Sequence, residues 1–123
     1  MEVSVEKWFA QAWKDKIAGW FTNSTSSSGD KLNTIQRIVT FVMQQVMIWV
    51  GNAMFPSANY MVSMNSINGT WPETHNRMGS FIGAMPEGFQ VNSPEVPSKG
   101  SLETAELYGN RVAEITLRFL RIE

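Results

Sequence analysis

Residues 16–45, KIAGWFTNSTSSSGDKLNTIQRIVTFVMQQ, decide the fold. Ile17 to Phe21 is a short apolar run of strand type, Thr22 to Asp30 is a loop of small polar residues, and a helix opens near Lys31. A loop from the carboxyl end of a strand to the amino end of a helix gathers unpaired backbone N–H groups at one point, and electron-rich ligand atoms are stabilised there. Thr22, Asn23, Ser24, Thr25, Ser26, Ser27 and Ser28 add hydroxyl and amide groups that donate and accept hydrogen bonds without imposing a charge. That surface suits the polar edge of a flat heterocycle. A serine-rich loop that merely connects two elements has the same composition.

Outward from the loop, Leu32, Ile35, Ile38, Val39, Val42, Met43 and Val46 recur at helical intervals, with Asp30 placed as the amino-terminal cap. Met47 to Val50, MIWV, is a continuous apolar run closed by Gly51 and Asn52, the pattern of a strand buried on both faces. Strand, helix and strand make a βαβ unit, which predicts a right-handed crossover and a parallel pair. On the amino-terminal side, Val5, Trp8, Phe9, Ala12 and Trp13 share one helical face, and Ser4 is a plausible cap. Packing explains this aromatic cluster more readily than ligand stacking.

Residues 52–79 lose all periodicity and carry Pro56, Asn68-Gly69 and Trp71-Pro72, yet hold Phe55, Tyr60, Met61 and Met64. They read as a long irregular excursion that packs on the domain or on a partner. His75 stands beside Glu73 there, and an ordinary surface histidine explains it best. Ser80 to Met85 reads as a last short strand. Ser101 is placed to cap a final helix with Glu103 and Glu106 in its first turn, and Leu102, Ala105, Tyr108, Val112, Ile115, Phe119 and Leu120 form its apolar stripe. Gly109 weakens that helix by about 1 kcal/mol relative to alanine, which close packing would explain.

Composition excludes several classes of function. A chain of 123 residues fits a single domain, and a formal charge of −1 with scattered basic residues gives no patch for nucleic acid or an anionic membrane. The absence of cysteine removes disulfides and thiolate chemistry, and the solitary His75 cannot furnish a multi-histidine metal cage, so no metal site is expected. Ile35 to Val50 is interrupted by Arg37, Thr40, Gln44 and Gln45 and falls short of the roughly 20 apolar residues a bilayer needs. MEVSVEKW lacks an apolar signal core, so a cytoplasmic location is expected.

The segments WFAQAWKDK (8–16), FTNSTSSSGDK (21–31), MIWVG (47–51), NRMGSFIGAM (76–85) and SLETAELYGNRVAE (101–114) together resemble the carboxyl-terminal part of a flavodoxin-like NAD(P)H-dependent oxidoreductase, of the FMN reductase and NAD(P)H:quinone oxidoreductase branch. The resemblance implies an α/β fold, a doubly wound parallel sheet of order 2-1-3-4-5 with FMN held by loops at the carboxyl ends of the strands. Ile17 to Phe21 corresponds to the fourth strand, and Met47 to Val50 begins the fifth. Thr22 to Asp30 corresponds to the last flavin loop, which makes Thr22, Asn23, Ser24, Thr25, Gly29 and Asp30 the cofactor-binding candidates. In quinone-reductase relatives a histidine lies beside the flavin near the end of the following helix, close to Gln44 or Gln45 here, and neither is histidine.

The same resemblance implies a partial fold. The family's first three strands, with the loop that binds the FMN phosphate, have no counterpart here, so weak FMN binding or none is expected. Two functions follow. One is an FMN-dependent oxidoreductase, or a truncated relative, that passes hydride from NAD(P)H through the flavin to a quinone-like acceptor without any catalytic side chain. The other is a non-catalytic binding or assembly module that has lost FMN. An α/β half-sheet also leaves a bare strand edge at Ile17 to Phe21, from which a homo-oligomer is expected.

Overall fold

The parallel ladder on β1 (Ile17–Ala18) begins with β2 (Ile48–Trp49), in the register Ile17 to Ile48 and Ala18 to Trp49. The computed structural model describes residues 2–26, 28–56, 75–88 and 99–121, which form α1 (Glu2–Phe9), β1, α2 (Lys31–Gln44), β2 and α3 (Lys99–Leu120). The predicted βαβ unit is present, and the fold is α/β with a parallel pair.

The ladder does not end with β2. Ile48 N–H donates to the Lys16 carbonyl and Val50 N–H to the Ala18 carbonyl, each at 2.9 Å. Two residues on, on the same edge of the strand, the Trp20 carbonyl accepts from Ala84 N–H at 3.3 Å. Thr22 N–H then donates to the Ala84 carbonyl at 3.0 Å, and Gly88 N–H to the Ser24 carbonyl at 2.8 Å. The chain thus leaves the ladder after Val50 and returns to the same edge at Ala84. Ser80 to Met85, expected as a regular strand, is instead a bent segment that pairs through one isolated parallel bridge, Phe21 with Ala84, and a second, Ser24 with Glu87, follows it.

Buried asparagines tie the two ends of this detour together. The Asn52 side-chain amide donates to the carbonyls of Ser80 and Gly83, while that of Asn76 donates to the carbonyls of Met54 and Ser80. Asn76 also accepts from Ser80 N–H, and its own N–H donates to Thr104 Oγ1 at 2.8 Å. Ala53 and Asn76 adopt positive φ, 58° and 45°, at the turns where the chain departs and returns. The described flanks, 52–56 and 75–80, contain no helix or strand, as expected for the excursion. Residues 57–74 and the Glu73 neighbour of His75 lie outside the described residues. His75 Nε2 instead lies 2.7 Å from Glu103 Oε2 on α3.

Several local expectations are corrected. Ser4 lies inside α1, and the helix stops at Phe9, because the chain turns through 10–15 with Gln11 and Asp15 at φ 47° and 61°. Trp13 therefore belongs to the turn. Asp30 occupies the cap position of α2 in a left-handed backbone conformation, φ 52°, rather than the extended one that capping uses, and makes no side-chain cap bond. α3 begins at Lys99, two residues before the expected cap, and Ser101 is buried in its first turn. Its buried residues are Gly100, Ser101, Thr104 and Tyr108, whereas Leu102, Phe119 and Leu120 are about half exposed or more. A helix of 22 residues is about 33 Å long, and the short sheet covers only part of it. Gly109 has nothing within 4 Å of where a Cβ would stand, so close packing does not explain it.

Candidate functional site

The loop from Thr22 to Asp30 leaves the carboxyl end of β1 and enters α2, as the composition predicts. Its second half reverses through two consecutive left-handed residues, Gly29 at φ 53° and Asp30 at φ 52°, and Lys31 N–H donates to the Ser28 carbonyl at 3.1 Å. Ser24 Oγ accepts from Ser26 N–H at 3.1 Å. A Cβ at position 29 would stand 1.9 Å from that same Oγ, so only glycine allows the two arms of the loop to meet. Ser24 and Gly29 hold the loop's shape, while Asn23, Thr25 and Asp30 are exposed and Thr22 is half-buried. All six candidate residues stand on one loop at the sheet's carboxyl edge.

Across the ladder, Ala84 to Gly88 forms a second wall. A cleft of about 420 Å³ opens at the amino end of α2, lined by Ser28, Asp30, Asn33 and Gln36 with Met78 and Met85 across from them, and of the six candidate residues Asp30 is the one that lines it. Under it sits Lys31, 2% exposed, whose Nζ donates to the Pro86 carbonyl at 3.2 Å. Burial lowers the Lys31 pKa below its usual 10.5; Glu87 opposes that shift and Arg77 adds to it. Arg77 Nη2 in turn pairs with Glu87 Oε2 at 3.0 Å, with the glutamate side chain only 4% exposed. These charges join the first turn of α2, the return limb at residue 77 and the second wall into one buried cluster.

Sequence reasoning missed this cluster. Lys31 carried the signal: a cation in a helix's first turn faces the positive end of the dipole and is favoured there only if something else holds it. The structure also separates Gln44 and Gln45 from the loop. They lie at the far end of α2, about 20 Å away along its axis, so the position assigned to the relatives' histidine is not at this site. Among the described residues no group of three or more His, Cys, Asp or Glu is placed to hold a metal ion. No helix there is long and apolar enough to cross a membrane.

No protein-family model matches the chain. It is similar to flavodoxin FldP of Pseudomonas aeruginosa, with 34% identity over 115 residues, 93% of this chain and 58% of that protein. Its structure is similar to that of the flavodoxin, WrbA-like protein from Agrobacterium tumefaciens, with a TM-score of 0.61 and 33% identity over 95% of this chain and 53% of that one. The chain thus spans little more than half the length of either relative. Sequence and fold agree that the chain is flavodoxin-like over the part of that architecture it spans.

Proposed function

We propose that the Thr22 to Asp30 loop and the Ala84 to Gly88 wall form a flavin site, and that the chain is the FMN-edge part of a flavodoxin-like NAD(P)H oxidoreductase. The observation that carries this reading is the position of the loop: uncharged, exposed amide and hydroxyl groups at the carboxyl end of a parallel strand, beside an open cleft, in a chain similar to two flavodoxins. Bound FMN would supply the redox chemistry, taking hydride from NAD(P)H and passing it to a quinone-like acceptor.

The chain's own residues fit the pyrimidine edge of such a ring. Asn23 and Thr25 offer donors and acceptors from the exposed arm of the loop, and the amino end of α2 favours electron density nearby. Gly29 and Ser24 hold the loop in shape, and Lys31 fixes the separation of the two walls through Pro86. Lys31 Nζ is turned to that carbonyl beneath the cleft, and among the described residues no glycine-rich phosphate cradle accompanies the loop.

FMN fluorescence titration tests this. Saturable quenching with a high-micromolar dissociation constant, weakened several-fold by Asn23→Ala, supports it, as does NAD(P)H oxidation that depends on added FMN. Unquenched FMN at millimolar protein would contradict it. That result would favour the second reading, a non-catalytic binding or assembly module.

A further inference from the structure

The arm of the candidate loop that carries Ser24 is held from outside the loop. Gly88 N–H donates to the Ser24 carbonyl at 2.8 Å, and Ser24 forms its parallel bridge with Glu87. Ser24 Oγ accepts from Ser26 N–H and stands against Gly29, so a displacement of Glu87 reaches both arms of the loop. The Glu87 side chain is 4% exposed, and Arg77 Nη2 donates to its Oε2 at 3.0 Å. Arg77 itself is anchored through its neighbour. Asn76 bonds Thr104 Oγ1 through its N–H and the carbonyls of Met54 and Ser80 through its side-chain amide, which fixes the neck of the detour against α3.

We propose that Arg77 is a positioning residue for the flavin loop, acting through Glu87; the ligand in this proposal rests on the flavin reading above. A desolvated carboxylate stays in place only beside a cation that meets it with good geometry. Lys31, the second cation of the cluster, donates to the carbonyl of Pro86, and Arg77 supplies the ion pair. Arg77 Nε is buried without a hydrogen-bond partner, so the guanidinium reaches Glu87 at the cost of one of its own donors. That cost makes sense if the pair sets a geometry. The neck carries none of the loop's residues, yet through this one pair it fixes where the wall from Ala84 to Gly88 stands against Ser24. A ring gripped between loop and wall is sensitive to that spacing, because binding geometry is lost over fractions of an ångström.

Amide hydrogen exchange on the 123-residue chain without FMN reads the positioning by itself. Arg77→Met is expected to speed exchange of Gly88 N–H several-fold, while Ile48 and Val50 N–H, on the ladder between β1 and β2, keep their protection. Arg77→Lys keeps the charge but not the planar fork and is expected to fall between Arg77→Met and wild type. FMN titration reads the consequence. The dissociation constant is expected to rise several-fold in Arg77→Met, and adding Glu87→Gln to that variant is expected to raise it little further, as for two residues that act in series. Should Arg77→Met not fold, Arg77→Lys carries both measurements against wild type. Unchanged exchange at Gly88, an equal loss of protection at Ile48 and Val50, unchanged FMN affinity, or effects of the two substitutions that multiply would each overturn the proposal. Wild type that leaves FMN unquenched would count against the flavin reading, and the exchange at Gly88 would then decide alone whether Arg77 positions the loop.

Discussion

The hydroxyl of Tyr108 donates to the carbonyl of Val50, and the same oxygen accepts from Trp20 N–H at 3.3 Å. One phenol from α3 thereby stands where a direct ladder bond between β1 and the end of β2 would otherwise form. Gly19 leaves room for it, and Arg111 Nε, one helical turn on, donates to the carbonyl of Gly51 at 2.9 Å. The long helix is fastened at the point where the chain departs from the ladder.

Tyr108→Phe keeps the ring and removes the bridge, leaving a buried carbonyl and an N–H without their partner. Stability is expected to fall by about 1–3 kcal/mol, read by urea unfolding. A fall below half a kcal/mol would mean that the bridge contributes little.

Burial raises the Tyr108 pKa above 10.0, while hydrogen bonding to Trp20 and the charge of Arg111 pull it back. A raised folded-state value means that the hydroxyl's contribution is complete below pH 10.0 and is lost as pH climbs through the folded pKa. Lys31 acts in the opposite sense. Its folded value lies below 10.5, so between the two values the unfolded chain binds more protons and stability rises with pH. The difference between wild type and Tyr108→Phe isolates the tyrosine, and it is expected to shrink above pH 10 in unfolding experiments across the alkaline range.

Glu87→Gln removes the anion beside the buried Lys31 and the partly buried Arg77. Breaking such a pair from one side leaves uncompensated charge, and a loss of about 3 kcal/mol is expected. Lys31→Met removes a desolvated charge together with one hydrogen bond and is expected to cost less than half as much. Equal losses in the two variants would contradict the cluster's assignment as a charge balance around Glu87.

Asn76→Ala removes side-chain bonds to Met54 and Ser80 at a residue whose φ is 45°. Both effects act in one direction, and a loss of about 2–4 kcal/mol is expected. Hydrogen exchange checks the mechanism: Ala84 N–H, which continues the ladder, is expected to lose protection before Ile48 N–H does.

Gly109→Ala is expected to stabilise the chain by about 1 kcal/mol, because an added methyl meets nothing and the helix gains propensity. A loss on thermal unfolding would show a neighbour at that position.

The elements nearest the site were the most legible. The apolar run at Ile17, which forms the strand Ile17–Ala18, and the polar loop are local signals and stand where the sequence puts them, whereas of the periodic stripe from Leu32 only Ile35 and Val42 are buried and Leu32, Met43 and Val46 lie exposed. What depended on distant contacts was not legible. The return of Ala84 to the edge that β2 leaves, and the buried pairing of Glu87 with Arg77, rest on the tied neck of an aperiodic segment. The apolar stripe on α3 is covered only in part, because periodicity reports which face is apolar and not how much cover the sheet provides. Asp30 looked like a cap by residue type, and the left-handed turn shared with Gly29 took that role away.

The most direct test of the central claim is the change in backbone amide resonances of the isotopically labelled chain as FMN is added. If the loop at the end of β1 is the flavin's seat, the shifts concentrate at Thr22 to Asp30 and Ala84 to Gly88 and leave Gln44 and Gln45 at the far end of α2 unmoved. Shifts confined to the far end of α2, or none at saturating FMN, would contradict it.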